Sequence, residues 1–353
     1  MKFLSLGGSV VAVLLTVSIS AYAASTPASY RVVDLGTLEQ AVNGMVYGPN
    51  TEGAIVGGTT GFGSGTRAFL LKPDRLAKLD GLPNTDWSMA RSINDKSIVV
   101  GSLNGPSAVR AFVWTISAVR DLGTLPGDSG SEAYAINASD DVVGNSSGPR
   151  GIEAVLWISG SKIQGLGKLP DADYSRAFAI NASSEIVGSS GSLARPGAAR
   201  AFLWTRNDGI QNLGTLPDDN NSEAFGINGR TEVVGYSSGS VGTRAFFWSR
   251  GTGMINLGTL SGGDYSRAIA INDRSEVVGT SDSSLGARAF LWTRSRGMQD
   301  LNELVIGTKD FVLLEAVGIN NLGIILAIGR DDDGHGDDHH HHEFSTRVFL
   351  LYP

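Results

Sequence analysis

The stretch Ser222–Leu260, SEAFGINGRTEVVGYSSGSVGTRAFFWSRGTGMINLGTL, is one copy of a unit that recurs seven times, six copies back to back and one divided between the two ends of the chain. Three landmarks fix the register. The Asn that closes "AIN" falls at Asn50, Asn94, Asn137, Asn181, Asn228, Asn272 and Asn320. The Ala of "AFLW" falls at Ala68, Ala111, Ala154, Ala201, Ala245 and Ala289, with Val348 in its place in the last copy. The Leu of "LGTL" stands at Leu35, Leu79, Leu122, Leu166, Leu213, Leu257 and Leu301. The spacing, mostly 43 to 47 residues, leaves room for four short strands, which is what one propeller blade needs.

In the quoted copy the strands are expected at Ala224–Ile227, Glu232–Tyr236, Arg244–Trp248 and Met254–Leu257, with a turn at Asn228–Gly229. β-Branched Val233 and Val234 suit a pleated surface, and Gly235 permits close backbone approach. The last copy ends on its third strand, Arg347–Leu351. Tyr30–Leu38, YRVVDLGTL, is a fourth strand with no blade before it. The expectation is an all-β, seven-bladed β-propeller with four-stranded blades, closed by the N-terminal strand completing the last blade. Such a clasp removes an edge open to other chains.

Residues 1–23 read as a signal peptide: Lys2, an apolar run over Val10–Val17, and the small-x-small site Ala21-Tyr22-Ala23. Residues 24–353 then form a single propeller domain, expected to be secreted, periplasmic or extracellular, and monomeric, with no membrane span after cleavage. The chain contains no Cys, which excludes a disulfide framework and thiolate metal sites. Its net charge is −7, one unit more negative once Lys2 leaves. That sign opposes a nucleic-acid partner, because phosphate binding needs a basic stripe.

Arg200-Ala201-Phe202-Leu203-Trp204, followed by Asn212-Leu213-Gly214-Thr215-Leu216-Pro217, resembles the bacterial extracellular HAF repeat family, named for a His-Ala-Phe triplet. The chain departs from the family in placing Arg, or Glu153 once, where the His stands. The resemblance implies a secreted repeat protein and brings no catalytic residues.

Several recurring residues have structural readings. Trp114, Trp157, Trp204, Trp248 and Trp292 share one register of the third strand and are expected to pack blade against blade. The Asn landmarks are expected as turn residues. Arg67, Arg110, Arg200, Arg244, Arg288 and Arg347 would form a belt paired with acids on the neighbouring blade. Five residues before each Asn landmark stand Met45, Met89, Glu132, Arg176, Glu223, Arg267 and Glu315. The expectation there is a channel ring of alternating ion pairs, Glu132, Arg176, Glu223, Arg267 and Glu315, with a Met gap.

Two stretches carry the functional expectations. Asp86-Trp87, Asp173-Tyr174 and Asp264-Tyr265 recur in alternate copies, on loops that share one face of a propeller. A flat ring beside a carboxylate suits a glycan or a surface protein, and capping of the blade ends is the competing role. The second stretch, 329–344, GRDDDGHGDDHHHHEF, breaks the repeat and holds every His of the chain. Asp331, Asp333, His335, Asp337, His339, His340, His341 and His342 are its metal candidates. The His run suits zinc, nickel or copper. The Asp spacing resembles the later part of a calcium loop, but Gly329 stands where the first ligand would be. A solvated loop is the third reading.

With all His in one loop, the sequence argues strongly against a Ser-His-Asp triad, which needs a His placed by structure. The sequence therefore points to a secreted binding or surface-associated module with a metal-binding loop. A polysaccharide-active hydrolase or lyase is the alternative.

Overall fold

The structure is a computed structural model and describes residues 29–37, 41–59, 65–72, 75–79, 85–159, 162–195, 197–307, 310–332 and 346–353. Each sequence copy forms a set of four antiparallel strands in chain order. In the copy that opens the sequence analysis these are Asp219–Ile227, Val233–Gly239, Gly242–Ser249 and Gly253–Asn256. The divided copy pairs Arg31–Thr37 with Arg347–Tyr352, in the register Val33 to Leu350, so the first described strand is the fourth strand of the last set. Parallel bridges join neighbouring sets between Ile152 and Tyr174 and between Thr243 and Tyr265. One element was not legible: a short helix, Leu301–Leu304, capped by Asp300, whose carboxylate accepts from the Asn302 amide.

The first strand of each set lies beside the first strand of the next, and Ala41–Tyr47 touches Phe311–Ile319. These strands thus surround a common axis. Packing between sets comes from the third-strand aromatics. Trp157, fully buried, sits with Val142 and Val155 of its own copy and with Val100, Ala111 and Val113 of the preceding one. Trp204 and Trp292 join clusters that likewise combine two copies. Truncating one such side chain would cost about 3–5 kcal/mol.

Every inner strand from the second copy on is irregular at the same place. The register shifts between Ala133 and Ala135, Ala177 and Ala179, Ala224 and Gly226, and Ala268 and Ala270, with matching shifts at Ala90/Ser92 and Ala316/Gly318. The bulged residue is therefore Arg91, Tyr134, Phe178, Phe225, Ile269 or Val317, and a bulge re-aims its side chain. The second strand accommodates the bulge through glycine. A Cβ on Gly144, Gly188, Gly235 or Gly279 would collide with the carbonyl oxygen of Glu132, Arg176, Glu223 or Arg267. That is the physical basis of the repeated Val-Val-Gly and Ile-Val-Gly triplets.

The Asn landmarks do more than turn the chain. In each copy the Asn Oδ1 accepts from the backbone amides two and four residues on, as Asn228 does from Arg230 and Glu232. Its Nδ2 donates to the backbone carbonyl of the next landmark Asn. These links run from Asn50 through Asn94, Asn137, Asn181, Asn228, Asn272 and Asn320 and return to Asn50, at 2.8 to 3.3 Å. All seven Asn are buried.

Candidate functional site

Two ends and an axis offer places for function. At the Asn end, which we call the floor, side chains are consumed in joining the copies. Three residues after each Asn the backbone turns left-handed, at Gly53 and Gly323 but also at Ser97, Asp140, Ser184, Thr231 and Ser275, with φ between 58° and 65° for the non-glycines. A side chain there strains the backbone. Three of them return a bond across the joint: Ser184 donates to Asp141 at 2.7 Å, Thr231 to Glu185 at 2.6 Å, and Ser275 to Glu232. Where Gly323 offers no hydroxyl, Arg274 fills the gap. Its guanidinium occupies the place a Gly323 side chain would take and pairs with the buried Glu276 at 2.8 Å.

The axis is lined by the first strands. The residues of the expected charge ring stand two positions before the bulge, so ring and bulge form two tiers. One arc is paired through the terminal nitrogens of Arg91, whose Nε is buried with no hydrogen-bond partner among the described residues. Arg91 lies 3.5 Å from Glu132 and donates to the Tyr47 hydroxyl at 3.4 Å. Tyr134 donates to Glu132 at 3.1 Å, beneath the Arg91 guanidinium. Burial, followed by the Glu132 charge, pushes the Tyr134 hydroxyl up to about 12. Arg91, Tyr47 and Tyr134 went unread in the sequence; their shared distance from the Asn landmarks was the available signal.

The other arc is arranged differently. Arg176 rests over the Tyr174 ring at 5.3 Å, and Arg267 over the Phe225 ring at 4.3 Å. Among the described residues no carboxylate oxygen lies within 4.0 Å of either guanidinium. Glu132, Arg176, Glu223, Arg267 and Glu315 are thus adjacent in charge without contact ion pairs among themselves. Burial holds the Glu223 carboxyl above its ordinary range, with Arg267, a hydrogen bond from Tyr236 and Arg176 drawing it back. Burial raises Glu315 as well, against Arg267. Below this arc the rings of Tyr134, Phe178, Phe225 and Tyr236 follow one another at centroid separations of 5.4 to 5.8 Å.

At the opposite end the connecting loops carry the aromatic–acid pairs, one in each of three alternate copies, so the pairs do not share one pocket. Half-buried Trp87 lines an open hollow of about 470 Å³ with Asp86, Asn104, Thr66 and Val109. A hydrogen bond from Asn104, then one from its own backbone, holds the Asp86 carboxyl below its ordinary range. Asp173 is held down by the Leu193 amide and then the Ser192 hydroxyl, so it staples two loops together. Beside it a groove of about 360 Å³ is lined by Asp171, Arg195, Arg200 and Asn212. Asp264 takes part through its carbonyl, which accepts from Arg244; Tyr265 is half-buried next to it.

The arginine belt corrects an expectation. Arg110 pairs with Asp121 at 3.0 Å, Arg288 with Asp300 at 3.8 Å, and Arg347 with Asp34, all within one four-stranded set. The registers Phe112 to Asp121, Phe290 to Asp300 and Phe349 to Asp34 put the acid of the adjoining fourth strand nearer than any on the next copy. Where that strand carries Asn212 or Asn256 instead, Arg200 and Arg244 turn to the backbone carbonyls of Asn220 and Asp264. Of the metal candidates only Asp331 lies among the described residues, and its carboxylate is taken by Arg347. Asp333, His335, Asp337, His339, His340, His341 and His342 lie outside them. Among the described residues no group of three or more His, Asp or Glu is placed to hold a metal ion, and no helix is long and apolar enough to cross a membrane.

No protein-family model matches the chain, and no curated protein matches it in sequence. Solved structures do resemble it. Virginiamycin B lyase from Staphylococcus aureus is 10% identical, over 92% of this chain and 99% of that one, with a TM-score of 0.51. The β-propeller domain of the Trilobed protease from Pyrococcus furiosus is 9% identical, over 89% and 93%, with a TM-score of 0.54. An oligogalacturonate lyase in complex with manganese is 10% identical, over 93% and 91%, with a TM-score of 0.53. At such identities the likeness establishes the fold alone: the chain is an all-β protein with the fold of a β-propeller.

Proposed function

We propose that this chain is an exported, seven-bladed member of the HAF repeat proteins and that it binds glycans on its loop face. The return of the Asn hydrogen bonds from Asn320 to Asn50 supports a closed ring of seven blades. The pairing of Arg31–Thr37 with Arg347–Tyr352 supports an N-terminal clasp. The observation that carries the binding role is the Trp87 hollow. A half-exposed indole provides a flat apolar surface for the C–H face of a sugar, and the Asp86 carboxylate and Asn104 amide beside it accept and donate to hydroxyls. The insert at 329–344 adds a second, sequence-based part to the reading, uptake of zinc, nickel or copper through His335 and His339–His342.

The test of the main role is retention on a panel of immobilised polysaccharides by the wild type and by Trp87→Ala. We expect at least one polysaccharide to retain the wild type and release the variant at unchanged thermal stability. Retention of neither, or equal retention of both, overturns the reading.

A further inference from the structure

We infer that the axial channel, independently of the Trp87 hollow, holds a binding site for a zwitterionic α-amino acid with an apolar or aromatic side chain, between Arg176, Glu223, Arg267 and Glu315. The two arcs of the axis satisfy their charges differently. On the first, Arg91 has Glu132 at 3.5 Å and Tyr47 at 3.4 Å, and its charge is answered within the protein. On the second, two guanidiniums and two carboxylates alternate without a contact ion pair. The Nε of Arg267, like that of Arg91, is buried with no hydrogen-bond partner among the described residues, so the arcs differ at the terminal nitrogens, which reach Glu132 and Tyr47 in Arg91 and lie over the Phe225 ring in Arg267. A guanidinium presents five N–H donors in a fixed fork that fits a carboxylate bidentately. Such donors lying unmatched beside carboxylates are an arrangement a ligand can complete.

The sign pattern selects the class of ligand. A simple anion drawn to Arg267 meets Glu223 and Glu315 on either side, and a simple cation drawn to Glu223 meets Arg176 and Arg267. For a single charge, attraction and repulsion largely cancel. A molecule carrying both charged groups on one carbon satisfies both partners. Its carboxylate lies along Arg267 or Arg176, and its ammonium faces Glu223, whose burial makes an added cation more welcome than in water.

The tier below selects the side chain. Phe178 and Phe225, at the bulges beneath the charges, and Tyr236, opposite Glu223 on the second strand, form a continuous partly exposed ring surface, Phe178 to Phe225 at 5.4 Å and Phe225 to Tyr236 at 5.8 Å. An aromatic or large aliphatic side chain pointing toward the floor covers it.

Calorimetric titration of the full exported chain with four forms of one molecule tests this without any mutation. The forms are L-phenylalanine, N-acetyl-phenylalanine, phenylalanine amide and N-acetyl-phenylalanine amide. Phenylalanine is expected to bind, and blocking either charge to weaken binding roughly tenfold or more, since each block removes a charge-assisted pair. Glu223→Gln and Arg267→Gln are expected to lose the phenylalanine signal while melting cooperatively, and Trp87→Ala to keep it. Equal binding of all four forms, binding by none at millimolar concentration, or binding that survives both channel substitutions overturns the site. Because Trp87→Ala is the control here and the probe in the glycan test, the two readings fail separately.

Discussion

The floor and the loop face of this molecule are made from the same repeat on opposite terms. On the floor every copy contributes the same Asn to the same pair of roles, and the residues that vary do so in matched sets. Acid in one copy meets hydroxyl in the next, as in Asp141 with Ser184, Glu185 with Thr231 and Glu232 with Ser275. On the loop face the backbone contacts repeat, as in Arg200 with Asn220 and Arg244 with Asp264, but the aromatic–acid pairs are used differently in each copy. Trp87 lines an open hollow, Tyr174 carries Arg176, and Asp173 is spent on Ser192 and Leu193. The difference teaches where the fold keeps its stability and where it leaves side chains free. Joints between copies must be satisfied because they are buried, whereas loops in water need only close their own turns.

The strongest way to break that contrast is Asn228→Ala. It removes from a buried side chain a donor to Asn272 and to the Glu232 carboxylate and an acceptor for the Arg230 and Glu232 amides. Leaving those partners unmatched is expected to cost about 3 kcal/mol in urea unfolding. Asn228→Asp retains the acceptor and turns the donor into a charge facing a carbonyl, so it is expected to cost at least as much. A loss below about 1 kcal/mol for either would mean the Asn ring accompanies the joint without holding it.

Thr231 sharpens the comparison because strain and bond oppose each other at one residue. Its φ is 60°, a conformation glycine adopts freely, and its hydroxyl reaches Glu185. Thr231→Ala keeps the strain and loses the bond, for an expected cost of roughly 1.5 kcal/mol. Thr231→Gly loses both, and relief of about 1 kcal/mol should bring it close to the wild type. If the two variants melt together, the left-handed backbone carries no cost at this position.

Much of the floor was legible and much of the axis was not, for physical reasons. Period, strand number and the role of Gly235 follow from side-chain size and alternation, which a sequence displays. So does the pairing of the two chain ends, since a fourth strand without a blade and a blade without a fourth strand stand in plain view. The acid–hydroxyl pairs were present as well, but only when residues one copy apart are read against each other. The bulge could not be read, because it adds a residue to a strand without changing its composition. Missing it concealed that Tyr134, Phe178 and Phe225 line the axis. The belt was assigned to the wrong partner for a related reason: periodicity tells which residues share a height, and only register tells which of two acids is nearer.

The axis predicts its own pH dependence. Glu223 and Glu315 hold their protons more tightly in the fold than the ordinary glutamate value of 4.5, because burial disfavours the charge. A carboxyl raised on folding supports the native state below the unfolded value, and that support is lost as pH rises from about 4.5 through the folded values. The double variant Glu223→Gln, Glu315→Gln should therefore gain on the wild type as pH climbs from 4 to 7. Thermal melts across that range check the sign. A variant that loses ground on the way up would mean that Arg267 outweighs burial and that the arc is a closed ion-pair ring.

The smallest effect is expected on the loop face. Asp173 lies exposed and its carboxyl is held below the ordinary range by Leu193 and Ser192. A lowered carboxyl supports the fold above its unfolded value, and the support disappears as pH falls through the folded one. At an exposed site, however, water competes for every bond the carboxylate makes. Asp173→Asn, which keeps an acceptor for Leu193, should thus leave the melting temperature within experimental error at pH 7 and at pH 3. Amide exchange at Leu193 should still quicken as the loop staple weakens. A global loss of stability comparable to that of Asn228→Ala would erase the distinction between the two ends, because it would place a joint of the fold in the loops.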